Sequence, residues 1–139
     1  MKKYRIGYTT GVFDLFHIGH LNILRESKKL CDFLIVGVTT DELVSYKGKK
    51  AIIPHTERME IVQSVKFVNK VVSQDTMDKM KAWEKFHFDV IFVGSDWKGT
   101  DKWNSLENQF KAIGVDIIYF EYTKGTSSTI LREKLEKIL

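Results

Sequence analysis

The chain has 139 residues, 43% of them hydrophobic and 29% charged, and a formal net charge of +4, which suits one domain over residues 1–139 and selects no partner, since anionic small molecules and nucleic acid are served equally. Its single cysteine, Cys31, excludes an internal disulfide framework and fits a reducing cytoplasm. The N-terminus lacks the apolar stretch of a signal peptide, and no apolar run approaches the ~20 residues that span a bilayer, so neither secretion nor membrane insertion is expected.

In chain order, Tyr4–Thr10 reads as a buried strand. Ile18–Cys31 follows as a helix, with Leu21, Leu24 and Cys31 at intervals of three and seven. Phe33–Val38 reads as the second strand. The polar stretch Tyr46–His55 holds the single proline, Pro54, and reads as a loop. Thr56–Phe67 carries one broad apolar face (Met59, Ile61, Val62, Val65, Phe67) and predicts a helix. Lys70–Ser73 is the third strand. Met77–Phe88 is a helix with Met77, Met80, Trp83 and Phe86 inward. Val90–Val93 is the fourth strand, Ser105–Ile113 a helix, Val115–Phe120 the fifth strand and Ser128–Leu139 the closing helix. This alternation predicts an α/β fold, a Rossmann-like doubly wound five-stranded parallel sheet with helices on both faces.

In such sheets ligands bind beyond the carboxyl ends of the strands, where the strand order switches. Three chemistry-bearing segments fall at that edge. The first strand runs into Gly11-Val12-Phe13-Asp14-Leu15-Phe16-His17-Ile18-Gly19-His20. Unpaired N–H groups and the dipole at a helix N-terminus make an anion site. Two imidazoles placed there, His17 and His20, add donors that can stabilise charge growing on a phosphate. Gly11 permits close approach or an unusual dihedral, and Gly19 leaves room for a phosphate. Val12 and Phe13 are expected to run main-chain groups along a nucleotide, while the rings of Phe13 and Phe16 suit the core. Asp14 suits a structural acceptor for the turn. The fourth strand runs into Gly94-Ser95-Asp96-Trp97, where Asp96 could meet ribose, base or a Mg²⁺-linked water and Trp97 could stack on a ligand. The fifth runs into Thr126-Ser127-Ser128-Thr129, whose hydroxyls can cap the last helix and bind phosphate oxygens. Zinc on His17 and His20 is disfavoured for want of a third ligand, because Cys31, His55 and His87 fall in other segments.

The run Gly11–His20 resembles, without a gap, the G-[TV]-F-D-L-[LF]-H-x-G-H segment of the cytidylyltransferases, a family of the HxGH nucleotidyltransferase superfamily. Tyr122–Thr129 resembles that family's second motif, R-T-x-G-I-S-T-[ST]. The resemblance implies transfer of CMP from CTP to a small phosphorylated alcohol, with Mg²⁺ carried by the CTP. By the same resemblance His17 and His20 act at the α-phosphate. Gly11, Val12, Phe13, Gly19 and Lys49 bind nucleotide, together with Tyr122, Thr123, Lys124, Gly125, Thr126, Ser127, Ser128 and Thr129. Lys47, in the basic run Lys47-Gly48-Lys49-Lys50, holds the acceptor's phosphate and takes part in catalysis. Lys79 (or its neighbour Lys81), Asp96 and Trp97 fall on the acceptor side. Arg58, in His55-Thr56-Glu57-Arg58, holds the loop or reaches the phosphates. Tyr122 departs from the family's arginine and supplies no bidentate cation, a role for which Lys124 is the replacement at hand. Glycerol 3-phosphate is the first acceptor implied, phosphocholine or phosphoethanolamine the second, and adenylyl transfer within the superfamily the third. A non-catalytic nucleotide sensor on this fold is the reading of a different class. The resemblance also implies a cytoplasmic homodimer, and the dispersed basic residues speak against nucleic acid.

Overall fold

A computed structural model of the chain describes residues 3–45, 48, 50–121 and 127–138. Five strands, β1 (Tyr4–Gly11), β2 (Cys31–Thr39), β3 (Lys70–Gln74), β4 (Val90–Gly94) and β5 (Asp116–Phe120), alternate with helices α1 (Ile18–Leu30), α2 (Asp41–Ser45), α3 (His55–Gln63), α4 (Lys79–Phe86), α5 (Asp101–Ala112) and α6 (Ser128–Ile138). All strand pairs are parallel, in the order β3-β2-β1-β4-β5. This is the α/β arrangement that the sequence alternation predicts.

Successive side chains of a strand point to opposite faces, and the core divides accordingly. Leu34, Val36 and Val38 of β2 pack with Val90 and Phe92 of β4, under Leu24 of α1 and Val62 of α3. Ile35 packs with Tyr8, Ile91 and Val93 on the other face, against Trp103, Leu106 and Phe110 of α5 and beside Met80 and Trp83 of α4. Helices thus cover both faces, which is why β2 and β4 read as unbroken apolar runs. From β1 the chain winds to β2 and β3 on one side, then returns past β1 to β4 and β5 on the other. The connections leaving β1 and β4 therefore diverge, and a crevice opens between them at the carboxyl edge.

Several boundaries differ from the sequence expectation for local reasons. Cys31 opens β2 instead of closing α1: it is fully buried, pairs in register with Tyr4, and its Sγ donates to the Ser27 carbonyl. Helix α5 begins four residues before the expected Ser105 because Thr100 Oγ1 accepts from the N–H of the buried Trp103. Helix α4 begins at Lys79 because Asp78 caps it, accepting from the N–H groups of Met80 and Lys81. Helix α3 stops at Gln63, yet Val65 and Val68 beyond it still pack on the core, so the apolar pattern outlasts the helix. The five residues of α2 are too few to show a helical period.

Candidate active site

A cleft of about 590 Å³ lies over the carboxyl ends of the strands. His17 and His20 line it at the end of β1, Thr39 and Gln74 at the ends of β2 and β3, and Gly94, Trp97 and Ser128 on the other side. It straddles the point where the strand order reverses.

Helix α1 opens with an unusual cap. His17 is its N-cap residue. The His17 Nδ1 accepts from the Gly19 N–H at 3.0 Å, and the His20 Nδ1 accepts from the His17 N–H at 3.2 Å. This is a capping box built from two imidazoles in place of a hydroxyl and a carboxylate. A ring nitrogen that accepts carries no proton, so each neutral ring keeps its proton on Nε2. The rings stack with centroids 3.9 Å apart, and Phe13 and Phe16 each lie 5.3 Å from the His20 centroid. Burial lowers the pKa of His17. Burial, helped by the neighbouring His17 and opposed by Asp14, pushes His20 down to about 4. Two neutral Nε2–H donors result. The backbone N–H groups of His17 and Gly19 are taken up by the rings.

The cap has a measurable consequence. Folding lowers the proton affinity of His20 from its ordinary value of 6.5 to about 4. As pH falls through that interval the unfolded chain takes up a proton that the folded chain refuses, so stability present above pH 6.5 is lost towards pH 4. Denaturant titrations across this range should show that slope, and His20→Gln should flatten it. An unaltered slope in the variant would acquit His20.

The turn between β1 and α1 bends sharply: Phe13 and Leu15 adopt left-handed backbone, with φ of 55° and 50°, a conformation few non-glycine residues take. Asp14 between them is 2% exposed. Its Oδ2 accepts from the Ile52 N–H at 2.8 Å and its Oδ1 from the Ile53 N–H at 2.9 Å. Arg132 of α6 forms an ion pair with the same Oδ2, and Ser128 Oγ donates to the Asp14 carbonyl at 2.7 Å. Burial works to raise the Asp14 pKa, but the two backbone N–H groups and Arg132 together hold the carboxyl below its usual range. Asp14 is thus the structural acceptor expected, with partners drawn from two distant segments.

Arg58 is fully buried. Its Nε donates to the Ile53 carbonyl at 2.8 Å, and its Nη1 to the carbonyls of Val12 at 2.7 Å and Thr39 at 2.8 Å. Its Nη2 pairs with Asp41 at 2.6 Å. The guanidinium is engaged inside the protein, so of the two roles open to it in the sequence the structure shows the first, holding the loop. Asp41 also accepts from the His55 N–H, and that bond, with Arg58, keeps its carboxyl low against a modest desolvation.

The other residues singled out in the sequence divide. Gly11, Val12, Phe13, Gly19, Lys79, Trp97, Ser127 and Ser128 line the cleft with the histidines. A Cβ on Gly11 would meet the Phe13 ring at 3.0 Å, so this glycine serves a close approach and no unusual dihedral. Lys79 is buried and donates to Thr10 Oγ1 at 2.9 Å and to Gln74 Oε1. Asp96 and Thr129 are exposed and are not among the residues that line the cleft. Ser127 caps α6 by accepting from the Ile130 N–H. Lys47, Lys49 and Tyr122–Thr126 lie outside the described residues. The motif reading passes over Arg132, which lines the cleft one helical turn beyond Ser128; the i,i+4 spacing from a motif serine is the signal that points to it.

Comparison with known proteins places this geometry. Residues 8–134 match the cytidylyltransferase-like family. A glycerol-3-phosphate cytidylyltransferase of Bacillus spizizenii is 34% identical over 94% of this chain and 96% of its own. An FAD synthase of Thermoplasma acidophilum is 34% identical over 94% of this chain and 93% of its own. The crystal structure of a lipopolysaccharide core biosynthesis protein of Thermoplasma volcanium superposes with a TM-score of 0.73 at 29% identity, covering 88% of this chain and 99% of that one. With a match that spans most of its length, and a histidine-capped helix at the switch point of a parallel sheet, the chain belongs to the cytidylyltransferase-like family and is a nucleotidyltransferase.

Proposed function

We propose that the protein transfers CMP from CTP to glycerol 3-phosphate, yielding the CDP-alcohol and pyrophosphate. The observation that supports it most is the pair of neutral imidazoles whose Nδ1 atoms are tied to backbone N–H groups. With tautomer and ring orientation fixed, each Nε2–H is a preorganised donor at a helix N-terminus. An oxygen of the acceptor's phosphate attacks the α-phosphorus, and the bond from phosphorus to the pyrophosphate oxygen breaks in line. The histidine donors strengthen their bonds as charge redistributes over the transferring group. No covalent adduct with the protein is needed. Among the described residues no three His, Cys, Asp or Glu side chains converge, and both Asp14 oxygens are engaged. That donor set fits a Mg²⁺ that travels on the triphosphate, held chiefly by its oxygens. Family resemblance further leads us to propose a homodimer, which light scattering would read.

The equal identity of the FAD synthase supports a second reading, adenylyl transfer from ATP to a flavin precursor. The apolar side chains of Leu43, Val44 and Met77 along the cleft favour it to the extent that a flavin ring needs such a wall. A thermal-shift screen with CTP, ATP, GTP and UTP separates the readings. Stabilisation is expected to be largest with CTP, and pyrophosphate release from CTP is expected with glycerol 3-phosphate. Stronger stabilisation by ATP, with release dependent on a flavin, would replace the first reading by the second.

A further inference from the structure

One buried carboxylate joins three parts of the chain. Asp14 belongs to the turn that carries the histidines. Its Oδ1 and Oδ2 grip the N–H groups of Ile53 and Ile52, which lead from the lysine run into α3. The same Oδ2 pairs with Arg132, and the Asp14 carbonyl accepts from Ser128, both on the first turns of α6, which begins within the second motif. On the division of labour implied by the proposed function, on which this inference rests, the acceptor's segment and the nucleotide's segment both end on one side chain. Two backbone N–H groups and a guanidinium thus donate to its carboxylate and a hydroxyl to its carbonyl, and its own backbone sits between two left-handed residues. Such a conformation persists only where its surroundings over-determine it.

We propose that Asp14 is a positioning residue and that its ion pair with Arg132 couples the binding of the two substrates. A ligand that fixes α6 against the histidine turn also fixes the Oδ2 atom on which Ile52 hangs. The Ile52–Ile53 backbone is then held in place when the second ligand arrives, and that ligand binds more tightly. Linkage makes the effect reciprocal: acceptor tightens nucleotide by the same factor as nucleotide tightens acceptor. Asp14 is fully engaged by the protein, so its effect runs through the groups it holds.

The test is calorimetric titration of glycerol 3-phosphate with and without saturating CMP-bearing nucleotide in non-hydrolysable form, and the converse titration. In the wild type each ligand is expected to tighten the other by about 5–150-fold, the usual range of coupling between sites. Arg132→Met, which keeps the length of the side chain and removes the charge, should bring that factor close to one, and Arg132→Lys should restore part of it. A merely structural role for Arg132 would lower both affinities and leave the factor intact. If Arg132→Met does not fold, as judged by circular dichroism, Asp14→Asn provides the same measurement. A folded variant of either kind that retains the wild-type factor overturns the proposal, as does a wild type whose ligands bind independently. A wild type that ignores the cytidine nucleotide and binds an ATP analogue with FMN refutes the proposed substrates instead; the same titrations with that pair then decide the coupling. Binding of neither pair would refute both.

Discussion

Replacing either histidine by alanine is expected to lower turnover by ~10²–10³, the usual effect of removing one preorganised donor to a transition state. The loss should appear in kcat more than in the affinity for CTP, since the donors gain strength as charge develops. The capping box adds a structural cost that has to be separated from the chemical one. Alanine at His17 leaves the Gly19 N–H without its acceptor, which for an N-cap costs about 0.5–2 kcal/mol of stability. Asparagine is among the best N-cap residues, and its side-chain oxygen can accept that same N–H. His17→Asn should therefore keep α1 and most of the stability while turnover still falls. Steady-state kinetics alongside thermal melts of His17→Ala and His17→Asn separate the two contributions. Near wild-type turnover in the asparagine variant would reduce His17 to a helix cap.

The largest effect on stability is expected at Arg58. Its side chain is wholly excluded from solvent and satisfies three carbonyls, of Ile53, Val12 and Thr39, besides pairing with Asp41. Arg58→Ala would strand the buried Thr39 carbonyl, at about 1–3 kcal/mol for an unsatisfied group, weaken the hold on the partly buried carbonyls of Val12 and Ile53, which water can reach in part, and leave a cavity as well. The total, on the order of 3–5 kcal/mol, is a large share of the ~5–15 kcal/mol that holds a domain together. Asp41 contributes less to this loss, because it is half exposed and water can take over. Arg58→Lys keeps a charge but not the fork, and should recover only a minor part. Urea titrations would show the shift as a lower midpoint at constant slope. Wild-type stability in Arg58→Ala would mean that the three carbonyls find other partners.

Much of the architecture was legible in the sequence because burial on both faces leaves a strong trace. Uninterrupted runs such as Leu34–Val38 and Val90–Val93 belong to strands covered by helices on either side, and their short length and β-branched content set them apart from buried helices. The histidine pair was legible for a related reason: a strand, a glycine-bearing turn and a helix start are local, and the sequence prints them side by side. What stayed hidden was contact between remote segments. Arg58 looked equally suited to solvent phosphate or to the loop, and only the closure of α3 over the ends of β1 and β2 decides between them. Asp14 and Arg132 stand 118 positions apart, and no local pattern announces their pairing. The segment of Asp96 reaches the cleft through Gly94 and Trp97, while Asp96 itself is exposed, a difference between neighbours that a motif does not encode. The early start of α5 was available in principle from Thr100, whose capping oxygen is an ordinary signal obscured by the polar residues after it.

Cys31 turns the sheet into its own clock. The chain has one thiol, and it sits at 0% exposure at the start of β2, a strand hydrogen-bonded on both sides. An alkylating reagent added to the native protein has to wait until β2 parts from its neighbours, and buried thiols are inert until then. At low reagent concentration the labelling rate should track the equilibrium population of the open state, and at high concentration it should level off at the opening rate itself. Intact-mass measurements over a range of reagent concentrations would therefore yield both quantities without a dye, a tag or a substitution. Labelling as fast as that of a free thiol peptide would show that the amino end of β2 opens without the rest.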